Sequence, residues 1–364
     1  MRDSLSDRLL RRELQDSAGP SRKVKSIYGD KNWVRDLDIV NELHGHAGCV
    51  NALRFAIPSN AHCRSSLTYP SSWSKSGRLL ASGSDDQHIN IHTYQPDDSN
   101  SQFRLATSIA TGHQANIFSV KFMPHSNDRT VISAAGDHEV RIFDLEYSGA
   151  TREASRASAM ALNGHSRGMR NNIQDGVRHL SDGDTNCRVY RSHGDRVKRV
   201  VTESSPHLFL TCSEDGEVRQ WDLRQPSSAY PSPSSRSVST VSVPPPLISY
   251  KRYDLDLNTI SCSPSQPHYI ALGGAHLHCF LHDRRMIGRD KLHERAASPA
   301  LSVGQLSDLD DDALGQATQC VRKFAPRGQR IMGQKDNGHI TACKISDAHP
   351  NEIVVSWSGD HIYS

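Results

Sequence analysis

Leu210–Arg224 read LTCSEDGEVRQWDLR. A run of small residues precedes Asp215, which sits in a tight turn, and a Trp-Asp pair, Trp221-Asp222, begins six positions after that aspartate. The segment therefore reads as a strand, a turn and a returning strand, with small side chains where a neighbouring layer must come close. Arg224 follows Trp221 by three positions.

The same frame recurs on either side. Asp86 leads His92 by six in ASGSDDQHINIH, and Asp137 leads Phe143 by six in SAAGDHEVRIFDL. A fourth unit, ALGGAHLHCFLHD, has His276 at the Asp position and His282 at the Trp position. A fifth opens with VVSWSGDHIYS. Gly45-His46 and Gly112-His113 stand upstream of the first two units, and the inverted His193-Gly194 stands before the third. Each is followed by a strand-like stretch: CVNALRF, IFSVKF and RVKRVVT. The units read as four-stranded blades whose outer strand comes across the repeat boundary. The fold class expected is all-β, a WD40-type β-propeller of about five blades with a short N-terminal helix. In this pattern His46, Asp86, His113 and Asp137 are structural, hydrogen-bonding across single blades where sheets pack face to face.

The stretches between units set the domain expectations. Residues 1–23 read as a helical or flexible segment and 24–364 as the propeller. Residues 146–186, 225–246 (Ser/Pro-rich) and 289–316 (ending near SDLDDD) read as disordered inter-blade loops. Residues 54–72 interrupt the first unit, either as a surface loop or as a translated intron. The frame counted from Asp360 runs past Ser364, which reads as a propeller left incomplete by C-terminal truncation of a longer chain.

Composition narrows the function classes. A net charge of +3 over 364 residues is close to neutral and argues against nucleic acid as partner. The N-terminal MRDSLSDRLLRREL is too charged for a signal peptide, and no apolar run approaches membrane-spanning length. The eight cysteines are scattered, without a Cys-x-x-Cys pair, so buried free thiols in the nucleus and/or cytoplasm are expected. No P-loop or dinucleotide fingerprint is present, and GHSRGMR at 164–170, which has the Gly-x-Ser-x-Gly spacing, reads only as a loop. His276, His278 and His282 differ by even numbers, so strand alternation would place them on one face, where three imidazoles can bind zinc. Their role as repeat substitutes outweighs that, and neither metal nor cofactor is expected.

Taken together, CRVYRSHGDRVKRVVTE, LFLTCSEDGEVRQWDLR, HGHAGCVNAL, LLASGSDD, SAAGDHEVRIFD, ALGGAHLHCFLHDRRM and DNGHITACKISDAHPNEIVVSWSGDHIYS span roughly residues 30–364. They resemble the WD-repeat substrate receptors of cullin-4 RING ubiquitin ligases, the cullin-4-associated factors. The resemblance implies a noncatalytic receptor that docks on the ligase's adaptor propeller and presents an unknown protein substrate. It implies two docking elements. One is the WD-x-Arg box, here Asp215, Trp221, Asp222 and Arg224, with Gln220 departing from the usual apolar residue before Trp. A degenerate copy has His282 in place of Trp, then Asp283 and Arg285, whereas the second unit has Glu146 at the Arg position. The other is an N-terminal helix over residues 3–16, where Leu5, Leu9, Leu10 and Leu14 fall at amphipathic spacing. That stripe fits either a groove of the adaptor or a solvated tail helix. Arg224 fits either a planar fork for partner carboxylates or a local ion pair with Asp222 or Asp215. The alternative function is a WD-repeat scaffold in chromatin or transcription assemblies with no ligase link.

Overall fold

The computed structural model describes residues 42–54, 78–95, 102–147, 173–202, 205–231, 244–263, 265–286, 320–325, 338–346, 350–358 and 362–363. The elements below all lie in one compact unit, His44–Ser364. They form five successive sheets, the blades of the expected propeller architecture. Blade 1 contains β1 (Val50–Arg54), β2 (Leu79–Ser84), β3 (His88–Tyr94) and β4 (Phe103–Ala110). Blade 2 begins with β5 (Ile117–Phe122), β6 (Thr130–Ala135) and β7 (Val140–Asp144). The chain then forms β8 (Ile173–Gln174) and β9 (Val177–Ser181) before β10 (Arg188–Tyr190) completes blade 2. Blade 3 is β11 (Val197–Thr202), β12 (Leu208–Ser213), β13 (Glu217–Asp222) and β14 (Ile248–Ser249). Blade 4 is β15 (Leu257–Cys262), β16 (Tyr269–Gly274), β17 (Cys279–Asp283) and β18 (Cys320–Phe324). Blade 5 has β19 (Ile340–Ile345), β20 (Ile353–Trp357) and β21 (Ile362–Tyr363). Within each blade the first three strands pair antiparallel.

The apolar core lies between blades. One buried cluster joins Ile89 and Ile91 to Ile117, Val120 and Phe143, spanning blades 1 and 2. A second joins Ile132 and Ile142 to Phe209 and Trp221, spanning blades 2 and 3. A third joins Leu210 and Val218 to Leu257 and Phe280, and a fourth joins Ala271 and Cys279 to Ile340 and Trp357. A strand clamped between two such layers is covered on both faces. Accordingly β2, β6, β12 and β16 bury every residue after their first. Small side chains there are a geometric requirement. A Cβ added at Gly83 of β2 would meet Val120 Cγ2 at 2.6 Å and Ile117 Cγ2 at 2.7 Å, both from blade 2.

Hydroxyls bridge the first strands of adjoining blades. Ser119 Oγ of β5 accepts the Val200 N–H of β11 at 3.1 Å. Thr259 Oγ1 of β15 accepts the Cys343 N–H of β19 at 3.2 Å, and Ser261 Oγ accepts the Ile345 N–H at 3.0 Å. These bonds satisfy backbone donors that no sheet neighbour reaches.

Two of the expected loops are ordered over their described ends. The segment 146–186 ends in the hairpin β8–β9, whose second strand runs parallel to β4 and extends blade 1 to six strands. Asp175 (φ 52°) and Gly176 (φ 79°) form its two-residue turn, the geometry that an Asp-Gly pair favours. Leu180 is buried in the cluster between blades 1 and 2 and anchors the hairpin. The segment 225–246 begins with a single 3-10 turn, Ser227–Ala229, and seats Tyr230 in the cluster between blades 2 and 3. A buried aromatic holds those residues down despite their Ser/Pro-rich composition. The helix expected over 3–16, with Leu5, Leu9 and Leu10, lies outside the described residues, as do 289–316 and all of 54–72 except Arg54. No helix among the described residues is long and apolar enough to cross a membrane.

Candidate functional site

Each of the first three blades holds its β2-, β6- or β12-type turn with one polar relay. In blade 3, His193 Nδ1 lies 3.0 Å from Asp215 Oδ2 and Nε2 lies 2.7 Å from Thr211 Oγ1. A carboxylate only accepts, so Nδ1 carries the proton and Nε2 accepts from the hydroxyl. The Thr211 oxygen in turn accepts the Trp221 indole N–H at 2.7 Å. Blade 2 repeats this with His113, Asp137 and Ser133, at 2.8 and 2.7 Å. Blade 1 uses His46, Asp86 and Ser82, both contacts at 2.9 Å. Only blade 3 carries a donor at the Trp position into the relay: Phe143 has none, and His92 Nε2 reaches the His44 carbonyl instead.

The turn aspartates also accept backbone N–H groups. Asp215 takes those of Gly194 and Glu217, Asp137 those of Gln114 and Glu139, and Asp86 those of Ala47 and His88. Burial pushes all three carboxyls up, but the imidazole and backbone donors outweigh it and hold them below the ordinary carboxylate value of 3.8. A depressed carboxyl stabilises the fold at pH values above its unfolded pKa, and that contribution fades as pH falls through the folded one. Thermal midpoints should therefore stay level down to about pH 5 and drop below about pH 4. Asp215→Asn should show a shallower acid decline than the parent. A parent midpoint unchanged at pH 3 would contradict this.

Blade 4 explains its own substitutions. His276 Nδ1 accepts the His278 N–H at 3.0 Å, the job that the turn Asp performs two residues ahead in blades 1–3. His282 is buried and shares a 2.7 Å hydrogen bond with Tyr250 Oη. The expected one-face alignment of the three histidines is corrected. His276 and His278 lie in the turn before β17, and only His282 is on the strand. Among the described residues, the one group spaced to hold a metal is His113, Asp137 and Glu139. Its carboxylates already bind protein donors: Asp137 holds His113, and Glu139 holds Arg141 and Arg191. The described cysteines are free thiols, and burial pushes Cys187 up to about 11 and raises Cys212 as well.

The Trp-Asp box ends in an ion pair at the end of β13. Arg224 donates Nε to Asp222 Oδ1 at 2.9 Å and Nη2 to Oδ2 at 2.7 Å, and its own N–H caps Oδ1. Of the two local partners weighed from sequence, the guanidinium engages Asp222. Its carboxyl is held low by the Arg224 hydrogen bond. The end of β17 repeats the arrangement: Arg285 Nε and Nη2 reach Asp283 at 3.0 and 2.6 Å, and that carboxyl is held down to about 2 by Arg285. In both forks the Nε–Nη2 edge meets the carboxylate, and the arginine side chain as a whole stays exposed. Gln220, the departure from the usual apolar residue, is exposed, and its side-chain oxygen accepts Arg284 Nη2 of blade 4. Arg188 Nη1 of β10 donates to the Leu223 carbonyl at 2.7 Å, bracing the turn between Asp222 and Arg224 from blade 2.

Sequence reasoning missed the blade 2 counterpart. Arg129, in the turn before β6, donates Nε to Asp144 Oδ1 at 2.6 Å and Nη2 to Oδ2 at 2.7 Å. The spacing rule looked only two residues after Asp144 and met Glu146.

Known proteins match the chain along these repeats. The WD domain, G-beta repeat family matches residues 37–93, 106–144 and 184–222. The WD repeat protein iqw1 of Schizosaccharomyces pombe is 34% identical over 94% of this chain and 34% of its own length. ALTERED SEED GERMINATION 2 of Arabidopsis thaliana is 30% identical over 95% of this chain and 38% of its own length. Human DDB1- and CUL4-associated factor 6 is 26% identical over 94% of this chain and 30% of its own length. The chain thus spans roughly a third of the length of these relatives.

Proposed function

We propose, on the premise that this is a WD40-repeat protein with its repeats folded as β-propeller blades, that it is a noncatalytic substrate receptor of a cullin-4 RING ubiquitin ligase. It would dock on the ligase's adaptor propeller and hold a protein substrate for ubiquitin transfer by other subunits. The observation that carries the reading is the Asp-x-Arg fork, built alike in blades 3 and 4 with Arg224 and Arg285 both exposed. A guanidinium held flat by a carboxylate loses little freedom when its outer nitrogen meets a partner carbonyl or carboxylate. The likeness to a protein named DDB1- and CUL4-associated factor 6 supports the same partner. Leu5, Leu9 and Leu10 would add a helical contact to the adaptor. The setting would be the nucleus and/or cytoplasm, in keeping with the free thiols.

One observation favours the alternative of a WD-repeat scaffold without a ligase link: Asp222 already neutralises Arg224. Capture of the purified cullin-4 adaptor by this chain and by Arg224→Ala separates the two. The receptor reading expects binding by the parent and about a tenfold loss or more in the variant. A folded parent that binds no adaptor favours the scaffold.

A further inference from the structure

We propose that the Asp144–Arg129 pair is a third docking point beside Asp222–Arg224 and Asp283–Arg285, so that blades 2, 3 and 4 meet the same adaptor. The inference deepens the receptor reading and rests on it. Blade 2 spells Asp144-Leu145-Glu146 and lacks the arginine that blade 3 places two residues after its aspartate. The fold supplies that arginine from another loop.

Four features of the pair match. First, Arg129 meets Asp144 through Nε and Nη2, the same two nitrogens that Arg224 and Arg285 use. Second, the N–H two residues after each aspartate bonds Oδ1: Glu146 at 3.1 Å, Arg224 at 2.9 Å and Arg285 at 3.0 Å. Third, the side chains stay open to solvent, 48% for Arg129 against 64% and 65% for Arg224 and Arg285. Fourth, the turn is braced alike. Arg178 Nη1, from the added hairpin strand β9, donates to the Leu145 carbonyl at 2.9 Å, as Arg188 does to the Leu223 carbonyl in blade 3. The hairpin inserted between β7 and β10 thereby supports the blade 2 turn as β10 supports the next one.

The pairs differ in charge. Exposed Glu146 adds a negative charge beside the blade 2 fork, whereas blade 3 has Arg224 at that position. The contact assigned to the blade 2 fork is therefore the Arg129 guanidinium facing an acceptor of the adaptor, with the Glu146 side chain outside it. An exposed ion pair contributes little to stability, so removing Arg129 should leave the fold intact.

The test is the affinity of the purified cullin-4 adaptor for the full chain, with thermal melting of every variant. The set is the parent, Arg224→Ala, Arg129→Ala and Arg129→Ala combined with Glu146→Arg. The double variant rebuilds in blade 2 the Asp-x-Arg spacing of blade 3. Arg129→Ala should weaken binding about fivefold at an unchanged melting temperature, and the double variant should regain most of the loss. Unchanged affinity for Arg129→Ala, with a loss in Arg224→Ala, overturns this inference and leaves the receptor reading standing. A loss that the double variant fails to recover also overturns it, because the guanidinium is then not the contact. No binding by the parent, or no effect of Arg224→Ala, overturns the receptor reading and this inference with it.

Discussion

Trp221→Ala should lower the unfolding free energy by about 4 kcal/mol, the cost of emptying a large aromatic site in a packed core. Trp221 is almost wholly buried between blades 2 and 3. Its ring stacks on Tyr190 at 5.2 Å and 9°, with Tyr230 at 5.0 Å and Phe209 at 6.2 Å. Deleting it strips contacts from both blades at once and also takes the indole N–H from Thr211. Trp221→Phe separates these contributions. It retains an aromatic ring, as Phe143 does at the same place in blade 2, and loses the hydrogen bond, for about 1–2 kcal/mol. Urea unfolding of the three proteins checks both values. A Trp221→Ala protein within about 1 kcal/mol of the parent would show that the cluster is not a cooperative part of the fold.

The second large effect concerns the buried pair Glu217–Arg219. Arg219 Nε and Nη2 both reach Glu217 Oε2, at 3.0 and 2.6 Å, and Nη1 reaches the Pro244 carbonyl at 3.0 Å. Both side chains are about nine-tenths covered. Blade 2 repeats the pair with Glu139 and Arg141, whose Nη1 bonds the Thr111 carbonyl. Arg219→Ala leaves the Glu217 carboxylate desolvated without its counter-charge, and should cost about 3–4 kcal/mol. Replacing both residues by Met removes the charges together and should cost far less, about 1 kcal/mol or under. The comparison is a double-substitution cycle read from urea midpoints. Equal losses in the single and double variants would mean that packing volume, not the stranded charge, sets the cost.

Legibility in the sequence followed distance along the chain. The relays of His46, His113 and His193 with Asp86, Asp137 and Asp215 were readable because each closes within one repeat, between a Gly-His or His-Gly pair and the turn aspartate, even though the separations are 40, 24 and 22 positions. His276 and His282 were placed at the right positions, but their partners were not readable. His276 uses a backbone N–H that any residue could offer, and Tyr250 reaches His282 from the preceding linker. The hairpin β8–β9 had one readable signal, Asp175-Gly176, hidden in a stretch without alternation.

The sequence by itself determined the repeat frame, the turn aspartates, the small-residue strands and the Asp-x-Arg spacing of blades 3 and 4. Each of these is local: a tight turn, a two-residue cap or a six-residue return leaves the same residues in the same order wherever the unit is placed. Tertiary structure alone decided that Arg129 takes the place beside Asp144, that Gln220 receives Arg284 across 64 positions, and that β9 joins the edge of blade 1. A guanidinium on a long flexible stem can reach a carboxylate from whichever loop the packing brings near. Which loop that is depends on how neighbouring sheets abut, because the apolar surface is buried between blades and not within any one of them.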